Sequence, residues 1–327
     1  MFLGLITLTT SYAQARDFLR FSGSGTVFPY VSAAVEKWVK QTNSPAPVVE
    51  QVGTGAGFKN FCSGMGDNSA DVAMASRPIK PEEWQACKAA GVSRVIALPF
   101  GYDGIVIVEK KSSTPFNLTR ADLFSALAAM PKMAKNTSRR WTDINAKYPA
   151  RPIRIYGPGV ASGTRDAFVE LAMVEGGKKL MPNINGDEVK KMAAAIRQDG
   201  VYVDSADNYN LIINKLQSDG DALGIVGYDY LMQNQNAVAA LPIDGIAPSL
   251  TSIRSKQYPL ARTLYLYVKA DRLTAPTGQS LNQFLNLFLS EANIGDGGSM
   301  AERGLITFPA AMRANSRDIL TSKKLLP

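Results

Sequence analysis

Read as a pattern of apolar and polar positions, the chain alternates short apolar runs with stretches whose apolar residues recur every three or four places. Residues 18–21 form the first run, a predicted strand, and lead through Ser22-Gly23-Ser24-Gly25-Thr26 into a helix with Val31, Val35, Trp38 and Val39 on one face. Residues 48–52 form a second strand that ends at Gly53-Thr54-Gly55-Ala56-Gly57, with a helix expected over 58–63. Residues 72–75 form a third, which turns at Ser76-Arg77-Pro78. Pro81-Glu82-Glu83 then opens another helix, with proline and acids where a first turn favours them.

The middle of the chain repeats the scheme. A strand is expected over 104–108. A helix is expected over 119–130, with Thr119 as N-cap and Asp122 at the third helical position. A strand over 153–156 enters Gly157-Pro158-Gly159-Val160-Ala161-Ser162-Gly163-Thr164, and a helix over 165–174 follows with Phe168, Leu171 and Ala172 inward. Asp207 or Asn208 caps a helix around 211–216; strands follow over 222–226 and 263–268, and a compact apolar helix over 281–289. Strand, turn and helix in this order specify an α/β fold with mainly parallel sheets. The proline- and lysine-rich stretch 130–152 is the expected surface excursion.

Composition narrows the function. With 327 residues, 46% hydrophobic and 20% charged, the chain suits about two globular domains. No run reaches the roughly 18 to 20 apolar residues of a membrane span. Histidine is absent, which removes Ser-His-Asp and Cys-His catalysis and the commonest zinc ligand. The net charge of +8 favours an anionic partner. Its cations are scattered, the densest group being Ser138-Arg139-Arg140-Trp141, so no basic arm for nucleic acid is present.

Residues 1–15 carry no charge, hold an apolar run over 2–10 and end in Ala13-Gln14-Ala15. This reads as a secretory signal peptide cleaved near Ala15, although no basic residue precedes the apolar run; the alternative is a buried first strand. Export places the two cysteines in an oxidising compartment, where Cys62 and Cys87 are expected to pair; two buried free thiols are the alternative.

Three strand ends deliver glycine and hydroxyl residues into helix starts: 22–26, 53–57 and 161–164. A helix start leaves amides unpaired and carries partial positive charge, glycine lets an anion approach the backbone, and Ser or Thr adds donors. Open α/β sheets bind ligands at the carboxyl ends of their strands, where these loops fall. Rival phosphate motifs are missing: there is no G-x-x-x-x-G-K-[ST], no G-x-G-x-x-G and no G-x-S-x-G.

The chain resembles the phosphate-binding proteins of Pst-type ABC transporters, a family within the two-domain periplasmic binding proteins. The likeness rests on FSGSGTVFP at 21–29, VGTGAGFK at 52–59, ADVAMASRPIK at 70–80 and FGYDGIVIV at 100–108. It continues through IYGPGVASGTRDAF at 155–168, GIVGYDYL at 224–231 and YPLARTLYLYV at 258–268. The resemblance implies a type II fold with two hinge crossovers and a ligand cleft between the domains. Domain I is expected over 16–101 and 260–327, domain II over 102–259.

The implied function is high-affinity binding of inorganic phosphate in the periplasm, by a monomer that delivers it to a permease without catalysis, cofactor or metal. A phosphotransferase or phosphatase using the same loops is the alternative. The implied ligand groups are Ser24, Gly25, Thr26 and the amides of Val27 and Phe28; Thr54 and Gly55; Ser76; and Ser162, Gly163 and Thr164. Two positions depart from the family pattern. Pro158 stands where the family has an arginine, so Arg77 or Arg165 is expected to supply the guanidinium. Arg77 stands where the family has an aspartate that accepts the ligand's proton. Asp103, and after it Asp166, is the candidate acceptor.

Overall fold

Sixteen residues of unbroken extended chain, VIALPFGYDGIVIVEK, run through the middle of the molecule as one strand, Val95–Lys110, buried along nearly its whole length. A strand covered on both faces needs such continuous apolar sequence. The computed structural model describes residues 18–113, 116–160, 162–206, 208–275 and 278–327. The N-terminal stretch read as an export signal, and Ala161 and Asp207, lie outside them.

In chain order the strands are β1 Arg20–Gly23, β2 Val48–Gln51, β3 Val72–Ala75, β4 Val95–Lys110 and β5 Ile155–Gly157. They continue as β6 Tyr202–Asp204, β7 Leu223–Gly227, β8 Val238–Ala240, β9 Ala261–Lys269 and β10 Ile306–Thr307. Their order across the sheet is β2-β1-β3-β9-β4-β7-β5-β6, with β8 and β10 also on β4. The N-terminal half of β4 pairs with β9, from Val95 opposite Lys269 to Gly104 opposite Ala261, and Ile105 onward pairs with β7. The register slips between Pro99 and Gly101. Pro99 has no amide to donate, and a bulge there leaves the strand continuous.

Two bodies flank this seam. The first buries Phe21, Trp38, Phe284 and Phe288 over β1, β3 and β9, with Phe21 and Phe284 edge to face at 4.8 Å. The second buries Phe124, Trp141, Phe168 and Ile213 around β4, β5 and β7. A smaller cluster in the first body surrounds a Cys62–Cys87 disulfide with Phe58, Phe61 and Tyr267. The bond spans 25 residues with a Cα–Cα distance of 4.3 Å, so the cysteines are bonded rather than free thiols.

The α/β class holds, and β3 and the Thr119 cap fall where expected: Thr119 and Asp122 form a reciprocal capping box. Four expectations need correction. The sheet is mixed rather than mainly parallel, because β4 runs antiparallel to β7, β8, β9 and β10. The helix expected over 58–63 is Thr54–Phe61, so the glycine loop is itself the first turn. The helix expected over 165–174 starts at Gly163 and widens into a π-helical segment, Val169–Val174, before continuing over Glu175–Leu180. The excursion 130–152 is anchored inward. Trp141 is fully buried, and the Asn136 amide donates to the carbonyls of Ser125 and Ala128 at 2.8 and 2.9 Å.

Candidate functional site

Each predicted loop arrives at the cleft for a local reason. Gly23 ends β1 at φ +150°, packed so closely on the Met74 backbone that a Cβ would collide with it. This turns the chain into Ser24-Gly25-Thr26. The Ser24 amide donates to the Met74 carbonyl at 2.9 Å. The Ser24 carbonyl accepts from the amides of both Val27 and Phe28, at 3.2 and 3.0 Å. Those two amides are therefore engaged within the turn, and the Val27 side chain is fully buried, which corrects the expectation that they face a ligand.

The second loop enters the helix Thr54–Phe61 through Gly53 at φ +82°. The Thr54 hydroxyl lies 3.0 Å from that of Ser76 and accepts from the Ser76 amide at 3.2 Å, joining this loop to the end of β3. The first amides of that helix have no partner within it.

The third loop opens the helix Gly163–Phe168, and the Ser162 hydroxyl caps it by accepting from the Thr164 amide at 3.2 Å. Tyr209 was not anticipated from sequence. Its hydroxyl donates to the Thr164 hydroxyl at 2.7 Å and lies 3.2 Å from that of Ser162.

The first and third loops touch. The Thr26 hydroxyl donates to the Gly163 carbonyl at 3.0 Å, and Gly163 lies so near Gly25 that a Cβ on it would stand 2.7 Å from the Gly25 carbonyl carbon. This contact divides the cleft into two chambers. The larger, about 950 Å³, is lined by Ser24, Thr54, Gly55, Ser76, Arg77 and Arg165, together with Asp166, Glu170 and Arg262. The smaller, about 400 Å³, holds Thr26, Phe28, Asp103, Ser162 and Thr164, together with Tyr209 and Asp229. Gly25 lines both. The predicted residues other than Val27 thus line one cleft, on two sides of a partition.

The guanidinium at the centre is Arg262, which sequence reasoning did not select. Its side chain is only 6% exposed. It donates to the Thr26 hydroxyl at 2.8 Å, to Glu170 at 2.6 Å and to Asp103 at 3.3 Å. A signal for it existed: it is the one cation inside the otherwise apolar and hydroxylated run 260–268.

The two arginines that were predicted are otherwise occupied. Arg77 binds Glu83 through both terminal nitrogens, at 2.8 and 2.7 Å, and its Nε lies 3.6 Å from Glu170. Arg165 stacks on the Tyr202 ring at 4.3 Å and reaches back to the Pro158 carbonyl at 3.5 Å. Burial pushes the Asp103 carboxyl above its ordinary range against the opposing pull of Arg262. Burial also raises Asp166, with Arg262 opposing and Glu170 adding repulsion. Among the described residues no group of three or more His, Cys, Asp or Glu is placed to hold a metal ion.

The PBP superfamily domain matches residues 9–292. Protein SphX of Synechococcus elongatus is 29% identical over 301 residues, covering 90% of this chain and 79% of that protein. Phosphate-binding protein PstS of Staphylococcus haemolyticus is 26% identical over 294 residues, covering 88% of this chain and 80% of that protein. Among solved structures, a "possible phosphate binding protein" of Planctomyces limnophilus superposes with a TM-score of 0.76 at 26% identity, covering 94% of this chain and 98% of that one. An ABC-type phosphate transport receptor of Vibrio cholerae shares the fold at a TM-score of 0.61 and 20% identity, covering 89% and 100% of the two chains.

Proposed function

This chain belongs to the PBP superfamily, and we propose that within it the molecule binds inorganic phosphate and hands it to the permease of an ABC transporter. The observation that carries this is the seat of Arg262. It is a buried guanidinium, bonded to the Thr26 hydroxyl, at the point where glycine-hydroxyl loops from both bodies meet. Planar guanidinium donors together with helix-start amides are the chemistry that recognises an oxyanion. The relatives named for phosphate binding favour the same reading.

In this proposal the anion lies against the partition on the side of the larger chamber. Arg262, Ser24, Gly25, Thr54, Gly55 and Ser76 are its donors, and Asp166, a carboxylate of the same chamber raised by burial, takes its proton. Domain I comprises 16–101 and 260–327, and domain II 102–259. The molecule works as a monomer in the periplasm after export. No helix among the described residues is long and apolar enough to cross a membrane. Binding requires no bond to be made or broken, and no observation favours a phosphatase or phosphotransferase.

Titration calorimetry with phosphate is the test, and one site per chain is the expected result. No heat at millimolar phosphate, two sites, or turnover of a phosphomonoester overturns the proposal.

A further inference from the structure

The excursion 130–152 sends one short loop out of the second body, and both feet of that loop are fixed. The Ala129 amide donates to the Ala195 carbonyl at 2.8 Å, and the Asn136 backbone N–H donates to the Ala129 carbonyl at 2.9 Å. The Asn136 side chain holds the second foot on the carbonyls of Ser125 and Ala128. Between these feet residues 130–135 stand clear of the core, with Met130 and Met133 52% and 55% exposed.

The tip departs from what folding alone favours. Lys132 and Met133 are consecutive non-glycine residues in the left-handed region, at φ +55° and +63°. A Cβ crowds the neighbouring carbonyl there, and such strain gathers at functional sites, where the surrounding structure imposes it. Two methionine side chains left in water gain nothing by burial. Lys132 and Lys135 are exposed and form no ion pair among the described residues. A clamped loop thus presents two adaptable thioether side chains interleaved with two unneutralised cations.

Its place decides what it can meet. Ala194, next to the Ala195 that anchors the loop, lines the larger chamber. Val160 of the second body and Val52 of the first line the same chamber and are themselves exposed. The loop therefore stands at the mouth of the chamber assigned to the anion, near apolar residues from both walls. Whatever receives the anion from this chamber must cover that mouth.

We propose that residues 130–135 are a docking finger for the permease, and that Met130 and Met133 enter an apolar pocket on it that is rimmed by carboxylates. This inference rests on the phosphate reading above and deepens it by naming the surface and the chemistry through which the partner is met. The acidic rim follows from Lys132 and Lys135, whose charges steer and orient a partner of opposite sign. The apolar pocket follows from the methionines, which are unbranched, polarizable and able to fill irregular gaps. The clamped feet mean that little freedom is lost on docking. A lipid surface is the poorer match, because two methionines bury far less apolar area than the amphipathic helix or acyl chain of a peripheral anchor.

The test titrates the permease with its ATPase, reconstituted in liposomes, with the phosphate-loaded full chain and reads phosphate-stimulated ATP hydrolysis. Met133→Ser and Lys132→Glu are compared with the parent, and Lys40→Glu, an exposed charge reversal on the helix Phe28–Thr42, is the control. Half-maximal stimulation is expected to need at least about tenfold more of each finger variant, while phosphate affinity in calorimetry stays within about twofold of the parent. The control is expected to match the parent, and an equal fall in it overturns the inference by reducing the effect to net charge. Equal stimulation by parent and finger variants overturns the inference and leaves the phosphate reading standing. So does a loss of phosphate affinity in both finger variants, which would place the loop in binding rather than docking. Sedimentation of the parent, but not of the variants, with phosphatidylglycerol vesicles, together with equal stimulation, reassigns the loop to lipid and also overturns the inference. No phosphate binding by the parent defeats the phosphate reading itself, and the docking assignment with it.

Discussion

The two chambers of the cleft share the Gly25 loop and differ in charge. The larger gathers Arg77, Lys80, Arg165, Lys178, Lys190 and Arg262 against four carboxylates. The smaller gathers Asp103 and Asp229 with one cation, Arg303, among Tyr30, Tyr209 and Tyr230. Burial raises both of those carboxyls, and Asp103 raises Asp229 further by repulsion. Glycine-rich helix starts alone do not choose a side of the partition. Arg77 just after β3, Arg262 on β9 and Arg165 on the helix after Ser162 make the larger chamber hospitable to an anion, while Asp103 on β4 and Asp229 on the helix Tyr228–Gln233 make the smaller one hostile.

The sharpest way to break this comparison is selectivity. Phosphate near neutral pH carries a proton and sulfate does not. A site whose acceptor meets that proton can reject the analogue lacking it by roughly 10⁴ to 10⁵. Asp166 lies in the larger chamber and Asp103 in the smaller, where Arg262 already holds it. Competition by sulfate at about pH 7.5 is expected to become at least about 100-fold more effective in Asp166→Asn, with a much smaller change in Asp103→Asn. The reverse outcome moves the anion to the smaller chamber.

Next in size is Arg262→Gln. It removes the central guanidinium and leaves Asp103 buried without its cation, so phosphate affinity is expected to fall by about 2 kcal/mol in calorimetry. An unchanged affinity would empty the larger chamber of its role.

Hydroxyl deletions give a finer reading. Thr54→Ala on the larger side is expected to cost about 1 to 2 kcal/mol in affinity. Thr164→Ala, whose hydroxyl already accepts from Tyr209, is expected to cost less, at most about 1 kcal/mol. A larger loss at Thr164 would put the ligand on the Tyr209 side.

The smallest expected effect is on stability. The raised carboxyl of Asp229 favours the folded state most in acid, and that advantage is lost as pH rises through its folded value. Asp229→Asn is therefore expected to melt slightly higher than the parent near pH 7.5, by under about 1 kcal/mol. The gain should vanish below about pH 4, where the aspartate is protonated in both states. Equal melting at both pH values would show that Asp229 is solvated and that the smaller chamber is not hostile to charge.

How much of this was legible depended on whether the determinant was local. The glycine-hydroxyl turns, the Thr119–Asp122 capping box and β3 are written in adjacent residues, and each lies within a few positions of where sequence places it. Arg262 was not legible as a ligand group. Alternation along β9 marks it as a position facing away from the neighbouring apolar residues, and only tertiary pairing with Asp103, Glu170 and Thr26 shows that this face meets the cleft. Glu170 reads as a helix polar face for the same reason, since its partner is 92 residues away. Arg77 looked like a free cation because its partner Glu83 looked like a helix-start acid, and it is both. The strand expected over 104–108 is the second half of β4; its first half holds Pro99 and Gly101, where the register slips, and Gly101 and Gly104 pack closely on Leu305 and Ile306.

That uninterrupted strand also governs how the cleft can move. β4 hydrogen-bonds to β9 up to Gly104 and to β7 from Ile105 onward, so one ribbon belongs to both bodies with no slack between them. Two bodies on a flexible tether swing freely. Two bodies on a shared ribbon can part only by twisting it, a few degrees at each of several residues, against the ladder bonds on both sides. Such a connection behaves as a torsion bar. Its restoring torque grows in proportion to the angle and the stored elastic energy with the square of it, so small partings of the bodies cost little and large ones are resisted steeply.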